Sequence, residues 1–466
     1  MSRGSEPPRT ILDLVGRTPV VPLHRVTAGL PYRVLAKLEF LNPGGSVKDR
    51  IGQAMIDRAE AKGLLRPGGT IVEATSGNTG VGLAMVAAVR GYRAIFVLPD
   101  KMSSEKIRLL RAYGARVIVT PSQLPPEHPM SHYSVARRLA ETIPGAYYPN
   151  QYENEQNPGA HYRTTGPEID ADGGPGLAAV VGTVGTGGTM SGIGQYFKEH
   201  RPQVRIVAVD PAGSILAEYS RTKVRATAAP YLVEGIGEDM IPHSIRFEHL
   251  DEFVTVSDAD SFRYARRLAR EEGLFVGGSS GSAVAGAVQW LAQRPIPEGS
   301  TVVVVLPDSG DRYLSKFYSD EWLLEQGLSD AHASAGELVR RKTPVPALVS
   351  AEPTTPVREA LALFERHGIT QIPILRGGEN AGSLLEEDLL RRLLADATAV
   401  DRSVGGLAGP PFAEVATAAP LSEVVGMLRR ERAVLVRETS TGAVVGLLTR
   451  HDLVTFLSGG GDASEV

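Results

Sequence analysis

Short apolar runs alternate with amphipathic stretches from about residue 69 to residue 310. Each run of β-branched residues leads through a turn with Gly or Asp into an amphipathic stretch, which predicts strands alternating with helices. The predicted strands include 70–74, 94–98, 117–119, 177–181, 205–209 and 301–306, and the predicted helices include 51–62, 79–90, 104–113 and 189–200. Residues 301–306 are apolar at every position, as expected of a strand buried on both faces of a parallel sheet. The pattern predicts a doubly wound α/β domain with parallel strands.

The chain changes character after about residue 325, where small and polar residues replace the alternating pattern. Such a stretch is typical of a linker. We expect a first domain over residues 1–330, a linker over 331–344, a second domain over 345–458 and a disordered tail over 459–466.

The second domain contains an internal repeat. Pro356 and Pro420, Gly382 and Gly446, and Asp388 and Asp452 are separated by the same 64 residues. Each half has the pattern helix, strand, strand, helix, over 356–366, 371–375, 381–385 and 387–394 and over 421–430, 433–437, 443–448 and 451–457. A unit of this size cannot bury its sheet alone, so the two halves of this α+β domain should pack on each other.

Composition excludes several functional classes. The 466 residues are 42% hydrophobic and carry a net charge of −4, which gives no electrostatic reason to bind nucleic acid or an anionic membrane. No run of about eighteen apolar residues and no secretory signal occurs, so the default location is the cytoplasm. The absence of cysteine excludes disulfides, Cys-ligated zinc, iron–sulfur clusters and thiolate-ligated haem, and we expect no metal site.

Three loops between strands and helices carry candidate chemistry. Lys48 lies just after a Gly-Gly turn at a helix start, where a lone lysine is ordinarily a surface residue. Residues 183–189, Thr-Val-Gly-Thr-Gly-Gly-Thr, form either a tight turn or a phosphate-binding loop of converging N–H groups at a positive helix end. Residues 75–79, Thr-Ser-Gly-Asn-Thr, offer hydroxyl and amide groups suited to a carboxylate. At the carboxyl ends of parallel strands such loops converge on one crevice.

Four ordered motifs resemble a known family. Gly-Gly-Ser-Val-Lys48-Asp-Arg, Thr-Ser-Gly-Asn78-Thr, Gly-Thr-Gly-Gly-Thr189 and Gly-Gly-Ser279-Ser-Gly-Ser are similar to those of the pyridoxal-phosphate enzymes of fold type II, the family of cysteine synthase and cystathionine β-synthase. The resemblance covers about residues 8 to 325. It implies that Lys48 carries pyridoxal 5'-phosphate as a Schiff base and is the catalytic residue.

The resemblance also implies the other contacts of the site. The cofactor residues are Lys48, Asn78 beside the 3-hydroxyl, Gly185, Thr186, Gly187, Gly188 and Thr189 around the phosphate, and Ser279 facing the pyridine nitrogen. The substrate residues are Thr75, Ser76, Gly77, Asn78, Thr79, Gln151, Tyr152, Gly235 and Glu238. Because a hydroxyl cannot keep a proton on the ring nitrogen as a carboxylate does, Ser279 favours β-elimination and replacement over transamination.

Within the family, residues 209–216, 231–242 and 306–317 look more like cystathionine β-synthase than like cysteine synthase. One departure is Glu238, which follows Gly237 where many members carry tyrosine. It is either a surface residue on a mobile loop or a carboxylate that attracts the amino group of the entering thiol substrate. The animal branch carries an N-terminal haem segment, and because the motifs begin near Met1 and cysteine is absent, we expect no haem.

The repeated C-terminal domain resembles a tandem pair of CBS-type domains, which bind adenine nucleotides or S-adenosylmethionine. Asp452 with Thr449 matches the pattern that binds ribose, whereas the first copy keeps Asp388 but has Leu385 in place of the threonine. Each aspartate alone is equally well explained as a helix N-cap. We expect an adenosyl ligand, most of all S-adenosylmethionine, chiefly at Asp452.

The leading hypothesis is a pyridoxal-phosphate lyase that joins serine to homocysteine to give cystathionine, regulated by the adenosyl ligand. The alternative with the same cofactor residues is a cysteine synthase that uses O-acetylserine and sulfide. A third hypothesis is a catalytically silent adenine-nucleotide sensor, which the retention of Lys48 and the cofactor loops opposes. The resemblance implies a homodimer or homotetramer.

Overall fold

The computed structural model describes residues 8–122, 124–125, 127–328, 334–342 and 346–459. The chain forms two compact units, Met1–Tyr318 and Ser319–Val466. The strands are β1 (Val20–Pro22), β2 (Arg33–Leu38), β3 (Thr70–Ala74), β4 (Arg93–Pro99), β5 (Arg116–Thr120), β6 (Ala146–Tyr147), β7 (Leu177–Thr183), β8 (Arg205–Pro211), β9 (Glu252–Val256), β10 (Thr301–Leu306), β11 (Gln371–Arg376), β12 (Glu379–Leu385), β13 (Ala413–Ala416), β14 (Ala433–Arg437) and β15 (Val444–Thr449).

The α-helices are α1 (Lys48–Ala61), α2 (Asn78–Arg90), α3 (Ser104–Ala112), α4 (His132–Thr142), α5 (Gln156–Arg163), α6 (Thr165–Gly173), α7 (Gly188–His200), α8 (Leu216–Thr222), α9 (Asp258–Glu272), α10 (Gly278–Gln293), α11 (Asp320–Glu325), α12 (Ala335–Arg341), α13 (Val357–His367), α14 (Glu386–Ala395), α15 (Leu421–Leu428) and α16 (Arg450–Gly459). The predicted strands and helices all form, with ends that differ by a few residues.

The first unit holds two sheets. The larger has the order β1-β2-β10-β7-β8-β9, parallel except for the edge strand β1, and the smaller has the order β5-β4-β3-β6 and is parallel throughout. Val302 and Val304 of β10 pack in the core beneath α10, and Val303 and Val305 pack in the core beneath α7. This two-sided burial confirms the prediction made from the apolar run of β10, and the α/β fold class with it.

The second unit contains both copies of the predicted repeat. In the first copy α13, the antiparallel pair β11–β12 and α14 surround one core, and in the second copy α15, β14–β15 and α16 surround another. The copies also contact each other, because Asn380 Nδ2 donates to the carbonyl oxygen of Phe412 at 2.8 Å and Arg437 pairs with Glu379 at 3.2 Å. Strand β13, parallel to β14, was not predicted.

The predicted linker is ordered in part. Residues 335–341 form α12, whose Leu338 and Val339 are buried in the core of the second copy. The first compact unit ends at Tyr318 rather than at residue 330. Gly459, the first residue of the predicted tail, is the last residue of α16, and residues 460–466 of that tail lie outside the described residues, as do 331–333 and 343–344 of the predicted linker.

Candidate active site

The carboxyl end of β10 joins the loops that precede two helices. The backbone N–H of Val47 donates to the carbonyl oxygen of Pro307 at 2.8 Å, immediately before α1 begins at Lys48. The N–H of Gly277 donates to the carbonyl oxygen of Asp308 at 2.9 Å, immediately before α10. Lys48 and Ser279 are therefore brought to the same end of the sheet, where ligands bind in open parallel α/β sheets.

One cavity at this end gathers most of the predicted residues. Its lining includes Lys48, Ser76, Asn78, Thr79, Gly185, Thr186, Gly187, Thr189, Gly235 and Ser279, together with Glu234 and Ile236. Six predicted residues lie outside the described lining, namely Thr75, Gly77, Gln151, Tyr152, Gly188 and Glu238. The three loops proposed from the sequence thus face one space.

Lys48 has an environment suited to an uncharged amine. Burial lowers the pKa of its ammonium group from the ordinary 10.5, against the opposing effects of Asp308, Glu238 and Glu39. An uncharged amine is both a nucleophile and a base, and desolvation, which favours the uncharged form, is one of the ways in which proteins activate lysine.

The loop 185–189 fits a phosphate. Gly187 has a φ of +79°, and a Cβ there would lie 2.4 Å from Cβ of Ile245, so only glycine allows this turn. The loop leads into the N-terminus of α7, whose free N–H groups favour an anion. The hydroxyl-bearing residues Thr186 and Thr189 line the cavity beside Lys48. An amine, an anion-binding loop and the hydroxyl of Ser279 together fit the aldehyde, phosphate and ring nitrogen of pyridoxal phosphate.

A buried carboxylate holds Asn78 and Ser279. Asp308 is fully buried; its Oδ2 accepts from Asn78 Nδ2 at 2.8 Å and from the Tyr313 hydroxyl at 2.6 Å, and its Oδ1 accepts from Ser279 Oγ at 3.4 Å. Arg312 donates to Asn78 Oδ1 and to the carbonyl oxygen of Gly44. The amide of Asn78 is therefore fixed at both of its polar atoms.

The loop 75–79 is held in place by Thr75 and Gln151, two side chains that we expected to contact the substrate. Thr75 Oγ1 accepts from the N–H groups of Gly77 at 3.0 Å and Gly80 at 3.2 Å, so it shapes the turn itself. Gln151 Oε1 accepts from Thr79 Oγ1 at 2.6 Å, and its Nε2 donates to the carbonyl oxygen of Ala74 at 3.2 Å. Both residues are buried, and they orient the loop whose Ser76 and Asn78 face the cavity.

Glu238 lies outside the described lining of the cavity, but it is close enough to Lys48 to raise the pKa of that amine. Burial, followed by Asp239, raises the pKa of its carboxyl group to about 8, while Lys101 and Lys48 act in the opposite direction. After burial, Glu238 is the largest cause that raises the pKa of Tyr152, whose hydroxyl accepts a hydrogen bond from that of Tyr133 at 3.4 Å. The backbone of Glu238 is held by two hydrogen bonds, because its N–H donates to Ser214 Oγ at 3.0 Å and its carbonyl oxygen accepts from the N–H of Ile215 at 3.1 Å, while the residue itself is partly exposed.

The second unit has a cavity of its own. It is lined by Lys342, Pro346, Ala347, Val349, Gly368, Ile369, Thr370, Gln371, Arg432, Leu447, Thr449, Arg450, His451 and Asp452. Asp452 Oδ2 accepts from the backbone N–H and the hydroxyl of Thr449, each at 2.7 Å, and Lys342 lies 3.2 Å away. Asp388 is absent from the described lining and pairs on the surface with Arg391 at 3.1 Å.

Both interpretations of Asp452 therefore find support in its position. The N–H of Asp452 also donates to Thr449 Oγ1 at 3.4 Å, so the two residues form a reciprocal cap at the start of α16. The same carboxylate borders the cavity. The two copies differ in the way that Leu385 suggested, because Asp388 makes no such cap among the described contacts.

Several residues of the site were not predicted from the sequence. Asp308 had a detectable signal, since this carboxylate lies two residues after the end of the apolar strand β10, and Arg312 lies four residues later. Asn157 and His161 on α5, which touch the phosphate loop, had none. Within the described ranges, no helix is long and apolar enough to cross a membrane, and no cluster of three or more acidic or histidine side chains could hold a metal ion.

Family profiles match both units. The profile described as pyridoxal-phosphate dependent enzyme matches residues 11–308, and the profile of the CBS domain matches residues 336–395. The CBS profile thus covers α12 and the first copy of the repeat.

Characterised relatives extend over most of the chain. Cystathionine beta-synthase of Saccharomyces cerevisiae is 39% identical over 424 residues, which cover 85% of this chain and 83% of that protein. Cystathionine beta-synthase of Mus musculus is 44% identical over 393 residues, covering 83% and 70%. That of Dictyostelium discoideum is 37% identical over 464 residues, covering 96% and 92%.

Two solved structures resemble about two thirds of the chain. The O-acetylserine dependent cystathionine beta-synthase of Helicobacter pylori superposes with a TM-score of 0.61 at 42% identity, covering 67% of this chain and 99% of that one. An O-ureido-L-serine synthase superposes with a TM-score of 0.62 at 40% identity, covering 67% and 95%.

Proposed function

The chain belongs to the cystathionine β-synthase family of pyridoxal-phosphate-dependent lyases, and from that premise we propose that it condenses L-serine with L-homocysteine to L-cystathionine. The observation that carries the proposal is Lys48, desolvated at the start of α1 and facing the glycine loop before α7 in one cavity. Pyridoxal phosphate supplies an electron sink for the substrate's α-carbon. The chain's own residues then decide which groups enter and where protons move.

In this proposal Lys48 does the proton chemistry. With pyridoxal phosphate and substrate bound, the amine of Lys48 would be the base that takes the α-proton, and its ammonium form would be the acid that protonates the departing β-substituent. The backbone N–H groups of Ser76, Asn78 and Thr79 and the hydroxyl of Ser76 bind the substrate carboxylate and fix the Cα–H bond toward Lys48, whereas the Thr79 hydroxyl proton is already donated to Gln151.

The first substrate is tested by a matrix of four reactions. We expect turnover with serine and homocysteine to exceed turnover with O-acetylserine and sulfide, and the two mixed pairs assign each half-reaction separately. The alternative, in which an activated serine is the donor, is supported by the Helicobacter pylori relative, whose name states its dependence on O-acetylserine. Turnover with O-acetylserine and none with serine overturns the serine assignment while leaving the cofactor chemistry intact.

We propose that Glu238 selects the thiol substrate. With a pKa of about 8 the Glu238 carboxyl group is mostly protonated at neutral pH in the free enzyme, but an ammonium group beside it stabilises the carboxylate, and homocysteine carries an ammonium group whereas sulfide does not. Glu238→Gln should raise the KM for homocysteine roughly tenfold, because a charge-assisted hydrogen bond is lost, and should leave the kinetics with sulfide unchanged. The matched control is Asp239→Asn, the same change at the exposed neighbouring residue. Equal losses with both thiols in Glu238→Gln contradict this role.

We also propose that the second unit binds an adenosyl ligand in its cavity, with the ribose at Asp452 and Thr449. The sequence suggested S-adenosylmethionine, which carries a sulfonium cation. The described lining has Lys342, Arg432, Arg450 and the single acid Asp452, and Lys342 pairs with Asp452 and Arg432 with Glu387. Arg450, whose described hydrogen-bond partners are the carbonyl oxygens of Leu428 and Arg429, keeps an uncompensated positive charge that favours a phosphate-bearing adenine nucleotide. A ligand changes turnover only if it binds one state of the enzyme better than another.

Calorimetry of the full-length enzyme with ATP, AMP and S-adenosylmethionine checks this site. Asp452→Asn should weaken binding roughly tenfold through lost ribose hydrogen bonds, and Asp388→Asn, on the exposed counterpart, should leave binding unchanged. Tighter binding of S-adenosylmethionine than of either nucleotide contradicts the argument from charge. If none of the three binds, or if Asp388→Asn is the more damaging change, the assignment of the cavity is wrong.

A further inference from the structure

Helix α5 places a row of polar side chains behind the phosphate loop. Asn157, His161 and Thr165 are spaced by four residues and so share one face, with Thr165 at the start of α6. All three are buried, with exposed fractions of 1%, 0% and 0%. Buried polar groups persist only when their hydrogen bonds are satisfied, so the partners of this row are part of its function.

The row reaches the loop because α5 and α7 approach closely. A Cβ at Gly188 would lie 2.0 Å from Asn157 Oδ1, and a Cβ at Gly192 would lie 2.1 Å from the carbonyl oxygen of Pro158. Asn157 Nδ2 donates to Thr186 Oγ1 at 2.9 Å, and its other partner is the carbonyl oxygen of Gln151 at 2.8 Å. Both hydroxyl-bearing residues of the phosphate loop are thus held by α5, Thr186 by Asn157 and Thr189 by His161.

Proton counting limits what His161 does. Its Nε2 lies 3.2 Å from Thr189 Oγ1, and its Nδ1 lies 2.9 Å from Thr165 Oγ1. A neutral imidazole has one N–H donor and one acceptor, and a hydroxyl has one proton. If Nδ1 carries the proton, Thr189 must donate to Nε2 and has no proton left for a ligand. If Nε2 carries it, Thr165 donates to Nδ1, His161 donates to Thr189, and the Thr189 proton is free.

We propose that His161 is a positioning residue, in the Nε2–H tautomer, that aims the hydroxyl proton of Thr189 at the cofactor phosphate. The inference rests on the proposed role of residues 185–189 in binding that phosphate. Burial, with Arg50 and Lys48, lowers the pKa of His161 well below 6.5, so the ring stays neutral. Asn157 has the same effect on Thr186, because its amide donates and leaves that hydroxyl proton free.

A double-mutant cycle on the full-length enzyme tests whether His161 acts on cofactor binding through Thr189. The readout is the dissociation constant of pyridoxal phosphate, measured by reconstituting the resolved enzyme. Thr189→Val and His161→Leu should each weaken binding roughly tenfold, and the double variant should be no weaker than Thr189→Val alone, because His161 acts through Thr189. His161→Gln, which keeps a side-chain N–H near the Nε2 position, should restore most of the affinity.

The outcomes separate this inference from the proposed function. If Thr189→Val leaves the affinity unchanged, the phosphate assignment of the loop fails. If Thr189→Val weakens binding while His161→Leu does not, or if the two effects add, the phosphate assignment stands and the role of His161 is overturned. Failure of the glutamine variant to recover affinity also overturns it.

Nitrogen NMR of the wild-type holoenzyme tests the tautomer without any substitution at His161. With 15N-labelled histidine, the ring nitrogen resonances that shift in both Thr165→Val and Thr189→Val are those of His161. We expect a protonated Nε2 and an unprotonated Nδ1, unchanged between pH 6 and pH 8, roughly the range in which an unperturbed histidine titrates. A protonated Nδ1 would take the Thr189 proton for the ring and rule the proposal out.

Discussion

Lys48→Ala should abolish covalent attachment of pyridoxal phosphate and lower kcat by about 10³-fold, within the range lost with a positioned acid–base group. Lys48 begins α1 in a desolvated cavity, where burial lowers the pKa of its amine. The phosphate loop before α7 is a separate element, so the variant should still bind the free cofactor. Mass spectrometry after borohydride reduction should find the cofactor on the Lys48 peptide of the wild type and no adduct in the variant.

The control is Lys62→Ala, which removes an exposed lysine at the other end of the same helix. It should keep the visible absorbance, the reduced adduct and kcat of the wild type. An unchanged absorbance band and adduct in Lys48→Ala would show that another lysine carries the cofactor. Loss of all cofactor binding in Lys48→Ala would instead mean that the phosphate loop contributes little affinity by itself.

The sequence was sufficient to predict those parts of the site whose residues lie close together along the chain. The glycine loop before α7 and the turn before Lys48 depend on residues within a few positions of each other, so their chemistry can be read from order and spacing. The network around them cannot. Asn78 and Asp308 are 230 residues apart, and His161 is 28 residues from Thr189. Such pairs follow from the packing of elements, which a single sequence does not display.

The difference in the linker has a local cause. Residues 335–341 form α12 although small residues precede them, because Ser334 caps the helix by accepting from the N–H of Glu337 at 3.3 Å. The Ser-x-x-Glu spacing of these two residues is a recognised start signal. The polar residues around this signal favoured the prediction of a linker. The helix is stable because its apolar side packs on a core that includes Val415 and Leu421, about eighty residues later in the chain, and a local pattern does not display this contact.

Arg50, two residues after Lys48, forms a buried charge network with Glu39 and Glu168. Loss of this network should have the largest effect on the free energy of unfolding. Arg50 Nη2 lies 2.7 Å from an oxygen of Glu39 and 2.7 Å from one of Glu168, and the three side chains are 2%, 0% and 18% exposed. Although burial acts against its charge, Glu39 and Glu168 raise the pKa of Arg50. Arg50→Met leaves Glu39 buried without this cation, which costs about 3–5 kcal/mol of unfolding free energy. Urea unfolding followed by the cofactor absorbance measures the loss in the first unit.

The matched control is Arg221→Met, which removes one partner of an ion pair whose side chains are 73% and 44% exposed. It should change the unfolding free energy by less than about 1 kcal/mol, because exposed pairs contribute little. The pH dependence adds a second criterion. Burial alone would raise the pKa of Glu168, but Arg50 and Lys37 lower it from 4.5 to about 2. The stability that the Arg50–Glu168 pair contributes is therefore fully present above pH 4.5 and is lost as the pH falls toward 2. The difference between wild type and Arg50→Met should narrow over that interval, and equal losses in the two variants, or a gap that does not change with pH, would refute the assignment of stability to this network.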